Sequence, residues 1–318
     1  MNYSFAPLEG LTGYAYRTVH RAFFPHDIDH YYAPFLATKQ NRPFTSRELR
    51  DLIPAHNEGV PLVPQLLTNR AADFIRAAKE LAALGYDEIN FNLGCPSGTV
   101  AAKGKGSGFL TKPQELDVFF AEIFSADIPA VSVKTRIGLE SADEFGALLD
   151  IYNHYPIKEL IIHPRTKSDY YRNPPDLAVF REALSRCVHP VCYNGNLFTA
   201  DDVHAFSAEF PTVDAVMIGR GLLANPALIS EINGTDMLDT ALMREFHDAL
   251  YAAYRRTIHG ERNVLFAMKE IWFYFIAMFE DAAKYAKKIR KTEHLSDYEE
   301  AVSALFRERE VVHSRVRF

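Results

Sequence analysis

One cysteine of this 318-residue chain lies in a segment suited to acid–base chemistry. Cys95 follows the apolar run 88–92 and stands between Gly and Pro, which predicts a tight loop that aims the thiol. A thiol with a pKa of about 8.5 can donate a proton or act as a nucleophile. The alternative is a buried structural cysteine, the usual state of a free thiol. We interpret Cys187 and Cys192, at a helix end and within a strand, as structural.

Polar side chains lie at the ends of three other apolar runs. Lys134 closes the run 130–134, and an ammonium at that position suits an anionic partner or an electron-rich ring. His163 offers one donor and one acceptor when it is neutral, although a satisfied core histidine is the alternative. Gln65 supplies an amide that can hydrogen-bond a polar ring edge or, alternatively, cap a turn.

Two glycine-containing segments predict an anion site. Asn194, Gly195 and Asn196 follow one apolar run, and Gly219 and Arg220 follow the next. Successive backbone N–H groups beside a helix N-terminus bind anions, and TIM barrels commonly bind phosphate in their last two loops. These segments therefore indicate a phosphate-bearing cofactor or substrate.

A third glycine-rich segment follows Cys95. The loop 99–108 carries Lys103 and Lys105, and it could hold phosphate or close over a substrate. It lacks the order and spacing of a P-loop. An ordinary flexible loop is the alternative.

Eight short apolar runs supply the elements that must position these residues. They cover residues 3–7, 31–36, 62–66, 88–92, 130–134, 159–163, 190–193 and 214–218. Near-continuous apolar runs are typical of strands buried on both faces. Helical periodicity between them covers 69–84, 113–124, 141–153 and 199–206. The alternation predicts a TIM (β/α)8 barrel, with its chemistry at the carboxyl ends of the strands; an open doubly wound sheet is the alternative.

Local signals mark the ends of these helices. Gly85 suits the end of the first helix, and Pro113 suits the start of the second. Ser141 and Glu144 have capping-box spacing, and Thr199 begins the fourth helix in the same way.

The alternation of apolar runs and helical segments ends after residue 232. We interpret 233–236 as a linker, followed by helices over 241–257, 264–286 and 297–307. We therefore predict a catalytic barrel domain over 1–235 and a small all-α domain over 240–318. In the latter, four lysines share one helix face: Lys284, Lys287, Lys288 and Lys291. A solvated helix face is the alternative to a nucleic-acid contact.

Composition limits the compartment and the partners. The net charge of −6 is unfavourable for nucleic-acid binding, but residues 1–240 carry −8 and residues 241–318 carry +2. Three cysteines without metal-site spacing indicate a reducing compartment. The N-terminus lacks a signal-peptide pattern, and no apolar stretch reaches the ~18 residues of a membrane span. We expect a cytoplasmic monomer that binds no metal and does not enter a membrane.

Several segments in order resemble the tRNA-dihydrouridine synthases. The resemblance covers about residues 5–232, and its most specific segment is Asn-Leu-Gly-Cys-Pro at 92–96. The other matching residues are Lys103, Gly106 and Ser107 and the segments 6–12, 134–138, 163–166, 194–196 and 219–226. Where the family usually has Asn-Gly-Asp, this chain has Asn196 as the third residue. The loss of that carboxylate is expected to leave the phosphate site intact.

The resemblance implies an FMN-binding barrel that uses NADPH to reduce the C5–C6 double bond of a uridine in tRNA. It implies that Cys95 protonates C5 while reduced flavin delivers hydride to C6. The residues implied to bind the cofactor are Pro7, Leu8, Glu9, Gln65, Lys134, His163, Asn194, Gly195, Asn196, Gly219 and Arg220. Asn92, Lys103 and Arg165 are the implied substrate contacts, and the helical domain would help to hold the RNA.

Two other functions stay open at this point. One is a flavin barrel acting on a small metabolite of the dihydroorotate or enone type. The other is a non-catalytic protein that binds RNA or stores flavin, against which the placement of Cys95 argues. The helical domain and its lysine face favour the tRNA reductase.

Overall fold

The computed structural model describes residues 1–235 and 237–313. Its strands are β1 (Asn2–Phe5), β2 (His30–Tyr32), β3 (Leu36–Ala37), β4 (Leu62–Val63), β5 (Gln65–Leu67), β6 (Glu88–Leu93), β7 (Ala130–Arg136), β8 (Leu160–His163), β9 (Val191–Tyr193) and β10 (Ala215–Ile218). They pair in parallel in the order β3-β5-β6-β7-β8-β9-β10-β1-β2-β4. β6, β8 and β10 are buried at every position, as expected for strands covered on both faces.

The sheet closes on itself through two interrupted strands. Only Pro64 separates β4, which pairs with β2, from β5, which pairs with β6. The Pro64 carbonyl still accepts a hydrogen bond from the Asn90 N–H at 2.8 Å, so the ladder continues across the break. β2 and β3 likewise form one interrupted strand. Ten strands therefore occupy eight barrel positions, and the predicted TIM barrel is confirmed.

Helices follow the strands and cover the barrel. They are α1 (Tyr14–Phe23), α2 (Ser46–Leu49), α3 (Ala71–Ala82), α4 (Gly98–Ala101), α5 (Pro113–Phe124), α6 (Phe145–Asn153), α7 (Leu177–Arg186), α8 (Ala200–Glu209), α9 (Arg220–Ala224) and α10 (Leu228–Ile232). Short 3₁₀ turns cover Pro54–His56, Gly106–Thr111 and Ala142–Glu144. All four predicted barrel helices are present, whereas α1 and α7 lacked a recognised sequence signal.

The predicted helix ends are present because they depend on local chemistry. The Ser141 and Thr199 hydroxyls each accept a backbone N–H within a capping box. Gly85 has φ 98°, the left-handed conformation that favours glycine after a helix. Pro113 is the first residue of α5.

Four helices form the described part of the C-terminal region: α11 (Thr240–Thr257), α12 (Glu261–Phe275), α13 (Ala283–Lys291) and α14 (Leu295–Glu308). The single helix predicted over 264–286 is wrong, because a 3₁₀ turn at Ile276–Met278 separates α12 from α13. Phe279 leaves the helix to form an antiparallel bridge with Val311, and Asp281 adopts φ 49°. Position 236 of the predicted linker lies outside the described residues. Residues 314–318, which belong to the predicted all-α domain, also lie outside them.

The helical region packs on the barrel through one continuous apolar core. The Phe246 ring of α11 contacts Tyr16 and Phe23 of α1, with ring centroids 5.9 Å and 5.4 Å apart. The Tyr254 hydroxyl donates to the Leu11 carbonyl at 3.3 Å. This packing fixes α11 and α12 beside the carboxyl end of the barrel. Among the described residues, no helix is long and apolar enough to cross a membrane.

Candidate active site

A cavity of about 280 Å³ lies at the carboxyl ends of the barrel strands. Its walls come from the loops after β1, β2, β6 and β8, from side chains of β5, β6 and β7, and from α12 of the C-terminal region. The lining residues are Pro7, Leu8, Glu9, Leu11, Pro34, Phe35, Gln65, Asn92, Gly94, Cys95, Pro96, Lys134, Tyr171 and Tyr274. Seven of the predicted site residues are in this set, because parallel strands in a barrel end at the same face.

The loop that carries Cys95 is held on both sides. The Asn92 side-chain oxygen accepts the backbone N–H groups of Gly94 at 3.1 Å and Cys95 at 2.9 Å. The Ser107 hydroxyl, from the glycine-rich loop, donates to the Cys95 carbonyl at 2.8 Å. These contacts therefore fix the backbone that carries the thiol at the cavity wall.

A buried chain of amides extends from Asn92 across the barrel. The Asn92 amide donates to the Gln65 oxygen at 2.6 Å, and the Gln65 amide donates to the Asn90 oxygen at 2.7 Å. The Asn90 amide in turn donates to the Ser132 hydroxyl at 2.9 Å. Each link fixes which end of the next amide donates and which accepts. Asn92 and Gln65 are thus positioned by the barrel interior before any ligand binds.

Burial raises the pKa of the Cys95 thiol. Glu9 adds to this rise, while a hydrogen bond from the Ser97 backbone and the charges of Arg136 and Lys134 oppose it. A raised thiol pKa means that Cys95 holds its proton at neutral pH. The site therefore favours a proton donor over a thiolate nucleophile.

Lys134 directs its ammonium into the cavity from β7. Its Nζ donates to the Asn194 side-chain oxygen at 2.7 Å, and the Asn194 amide donates to the Met217 carbonyl at 2.8 Å. Burial, followed by the charge of Arg136, lowers the pKa of Lys134 to about 7. Asn194 thus positions Lys134, whose proton would be held more firmly beside an anion.

The segments predicted to bind phosphate meet in a cluster of cations. The Asn196 side-chain oxygen accepts from Arg165 at 3.1 Å and from Arg220 at 3.0 Å. Arg165 also contacts the His163 Nε2 atom at 3.1 Å. A guanidinium can only donate, so Nε2 accepts and the imidazole proton resides on Nδ1. Burial and four neighbouring cations hold the pKa of His163 well below its usual range, so the ring is neutral.

Positive charge predominates in this cluster, although the charge of Asp169 opposes the lowering of the Arg136 pKa by burial. Among the residues that the structure describes, neither Lys134, Arg136, Arg165 nor Arg220 forms an ion pair with a carboxylate. Burial, then Arg220 and Arg136, lowers the pKa of Arg165 to about 10. Buried cations that destabilise one another are stabilised by a bound anion. The residues present therefore fit a phosphate group.

Gly195 meets a steric requirement of the same loop. A Cβ atom at this position would lie 2.0 Å from the Tyr193 hydroxyl, so any side chain would force the ring or the loop to move. This close approach is the physical reason for glycine in the segment.

The sequence interpretation missed several site residues. No role is predicted for Arg136 from the sequence, yet it links loops by donating to the carbonyls of Gly94, Thr166 and Tyr170 at 3.0, 2.7 and 3.1 Å. The Tyr171 ring lines the cavity, with the Arg220 guanidinium 4.4 Å from its centroid. The only sequence signal for Tyr171 is an aromatic residue in a long loop after β8. Pro34, Phe35 and Tyr274 carry no signal, because strand interruption and tertiary packing place them.

Some predicted contacts lie outside the cavity wall. Lys103 is exposed on the glycine-rich loop, and Arg165 is buried within the cation cluster. In the lysine face of α13, Lys284 and Lys288 pair with carboxylates of α14 at 3.4 and 3.0 Å. Contact of these cations with substrate stays a prediction.

Comparison with known proteins defines the family. A model of the dihydrouridine synthase family (Dus) matches residues 4–314, and the chain belongs to this family. A probable tRNA-dihydrouridine synthase of Staphylococcus aureus (strain COL) is 28% identical over 261 residues, covering 79% of this chain and 77% of that protein. The tRNA-dihydrouridine(16) synthase of Salmonella typhimurium is 34% identical over 174 residues, covering 54% of this chain and 55% of that protein.

Solved structures share the fold at low sequence identity. Histamine dehydrogenase from Rhizobium sp. 4-9 matches with a TM-score of 0.54 and 11% identity, covering 77% of this chain. This chain spans 46% of that longer protein. The match concerns the barrel fold alone.

Proposed function

We propose that this protein reduces the C5–C6 double bond of a uridine in tRNA. The observation that carries the proposal is a thiol with a raised pKa, held in a cavity beside a cluster of cations. Family membership and the names of its relatives support tRNA as the substrate. A base cannot be reduced within a stack, so the uridine would be extruded into the cavity.

The cation cluster and the polar cavity support FMN as the bound cofactor. Asn196 and Arg220 would hold its phosphate, with the backbone at Gly195 and Gly219 beside them. Arg165, implied by the resemblance as a substrate contact, donates to the same Asn196 oxygen and would also face the phosphate. Lys134, Gln65 and the segment from Pro7 to Glu9 would contact its ring system. Once reduced, with NADPH proposed as the electron source, FMN supplies the hydride for C6.

The chain's own residues would deliver the matching proton. Cys95 would transfer its thiol proton to C5 on one face of the uracil, so that hydride and proton together saturate the bond. Asn92 would keep the Cys95 loop in position through its two backbone contacts. The neutral His163, with a proton on Nδ1, would offer a hydrogen-bond donor within the cofactor site.

The proposal assigns the cofactor and the RNA to different regions of the chain. The barrel over 1–235 would hold the flavin and the reacting uridine, while the helical region from 240 onward would hold the rest of the RNA. The position of Tyr274 in the cavity wall supports this arrangement, since it brings α12 to the reacting site.

The test is dihydrouridine formation on unmodified tRNA by the purified protein with FMN and NADPH. We expect Cys95→Ala to keep bound flavin and NADPH oxidation but to lose at least 100-fold in dihydrouridine formation, the usual contribution of a general acid. Cys187→Ala, at a partly buried cysteine outside the cavity, is the matched control. Equal product formation by Cys95→Ala and the wild type would remove Cys95 from the mechanism.

A further inference from the structure

One face of α12 carries aromatic side chains where solvent contact favours polar ones. The opposite face of this helix is buried through Leu265, Met268 and Trp272. Phe266 and Phe273, seven residues apart and therefore on one side of the helix, are 50% and 65% exposed. We call Phe266, Phe273 and the adjoining Tyr274 the α12 aromatic face.

This face lines a groove that continues into the candidate active site. The groove has a volume of about 500 Å³ and is lined by Glu9, Leu11, Phe266, Lys269, Glu270, Phe273 and Tyr274. Three of these residues, Glu9, Leu11 and Tyr274, also line the cavity that contains Cys95. A ligand that occupies the cavity can therefore extend along α12 without leaving the surface.

The chemistry of the groove suits a planar ring better than a phosphate. Glu9 and Glu270 place two carboxylates along it, against one cation, Lys269, whose Nζ donates to the Thr292 carbonyl. The carboxylates repel a phosphodiester but accept hydrogen bonds from the N–H groups of a base. The Arg262 guanidinium lies 5.3 Å from the Phe266 ring centroid. A cation therefore adjoins the aromatic surface at Phe266, which does not line the cavity itself. Exposed aromatic faces bind nucleobases by stacking, irrespective of sequence.

We propose that the α12 aromatic face stacks an unpaired nucleobase adjacent in the RNA to the uridine that enters the cavity. The proposal depends on the proposed tRNA substrate. Extrusion of a uridine disrupts the stacking of its neighbours. A groove that begins at the cavity and carries aromatic rings can replace the lost stacking and hold the strand in register.

The test compares steady-state kinetics on unmodified tRNA for the holoenzyme and for Phe266→Ala/Phe273→Ala. We expect the KM for tRNA to rise on the order of tenfold, as for the loss of one or two base–aromatic stacks, while kcat stays within about twofold. Val188→Ala is the matched control, since this side chain is 69% exposed but precedes β9, at the opposite end of the barrel. Thermal unfolding of each variant checks that the fold is kept.

Conservative variants distinguish stacking from simple apolar contact. Phe273→Trp should keep the wild-type KM, whereas Phe273→Leu should raise it, because leucine keeps apolar area without a ring. Equal KM values for Phe273→Leu and the wild type would indicate a different occupant, such as a protein partner, and would overturn the proposal. So would an unchanged KM in the double alanine variant. Failure of the wild type to form dihydrouridine in any tRNA would instead refute the proposed function.

Discussion

Replacing Lys134 by Met should abolish the pH dependence of flavin binding. In the ligand-free protein, burial and Arg136 lower the pKa of Lys134 to about 7, so half of the molecules lack the proton at neutral pH. A hydrogen-bond acceptor on the flavin ring and the FMN phosphate in the neighbouring cation cluster both favour the protonated form of Lys134, so the affinity is highest below pH 7 and falls as the pH rises above it. If the bound state keeps the proton, the Kd should rise roughly fiftyfold between pH 7 and pH 9, which corresponds to a loss of about 2.3 kcal/mol in binding free energy.

The measurement is quenching of FMN fluorescence at pH 7, 8 and 9 and constant ionic strength. The second ionisation of a phosphate ester, near pH 6, is then complete and does not contribute to the slope. Lys134→Met should bind more weakly at pH 7 and show no rise between pH 7 and 9. Lys112→Met, at an exposed lysine paired with Glu115, should retain the wild-type slope. A wild-type Kd that changes less than twofold over this range would refute the assigned role of Lys134.

Two further perturbations test the framework of the site and of the barrel. Asn92→Ala should lower kcat and reduce the free energy of unfolding by about 1–3 kcal/mol, because the Gln65 oxygen and two loop N–H groups lose their partner. An unchanged kcat together with an unchanged Tm would contradict this expectation. Burial and, second, the charge of Glu88 raise the pKa of Glu159 from 4.5 to about 7. The folded state therefore holds this proton more tightly than the unfolded chain, and the protein loses stability as the pH rises from 4.5 to 7. Glu159→Gln should therefore match the wild type in urea unfolding near pH 4.5 and exceed it by up to about 3 kcal/mol at pH 8. An equal difference at both pH values would show that the carboxylate charge is not the cause.

Elements that depend on local chemistry were predictable from the sequence. Strands buried on both faces must be apolar at nearly every position, which is why the runs at 88–92, 159–163 and 214–218 match β6, β8 and β10. Helix caps act over four residues, so those at Ser141 and Thr199 could be found without tertiary information. The break between α12 and α13 could not, because Phe279 leaves the helix to pair with Val311, a residue distant in the chain.

The sequence by itself determined that Cys95, Asn92, Gln65 and Lys134 share a site, since each lies near or just after the end of an apolar run and parallel barrel strands end at one face. Only the tertiary structure decided how they are held. The amide chain through Asn92 and Gln65 crosses strands, and the pKa of Lys134 depends on its burial beside Arg136. Tyr274 reaches the cavity because α11 packs on α1 and fixes the neighbouring α12 there. Such contacts join residues far apart in the chain, and no spacing or periodicity encodes them.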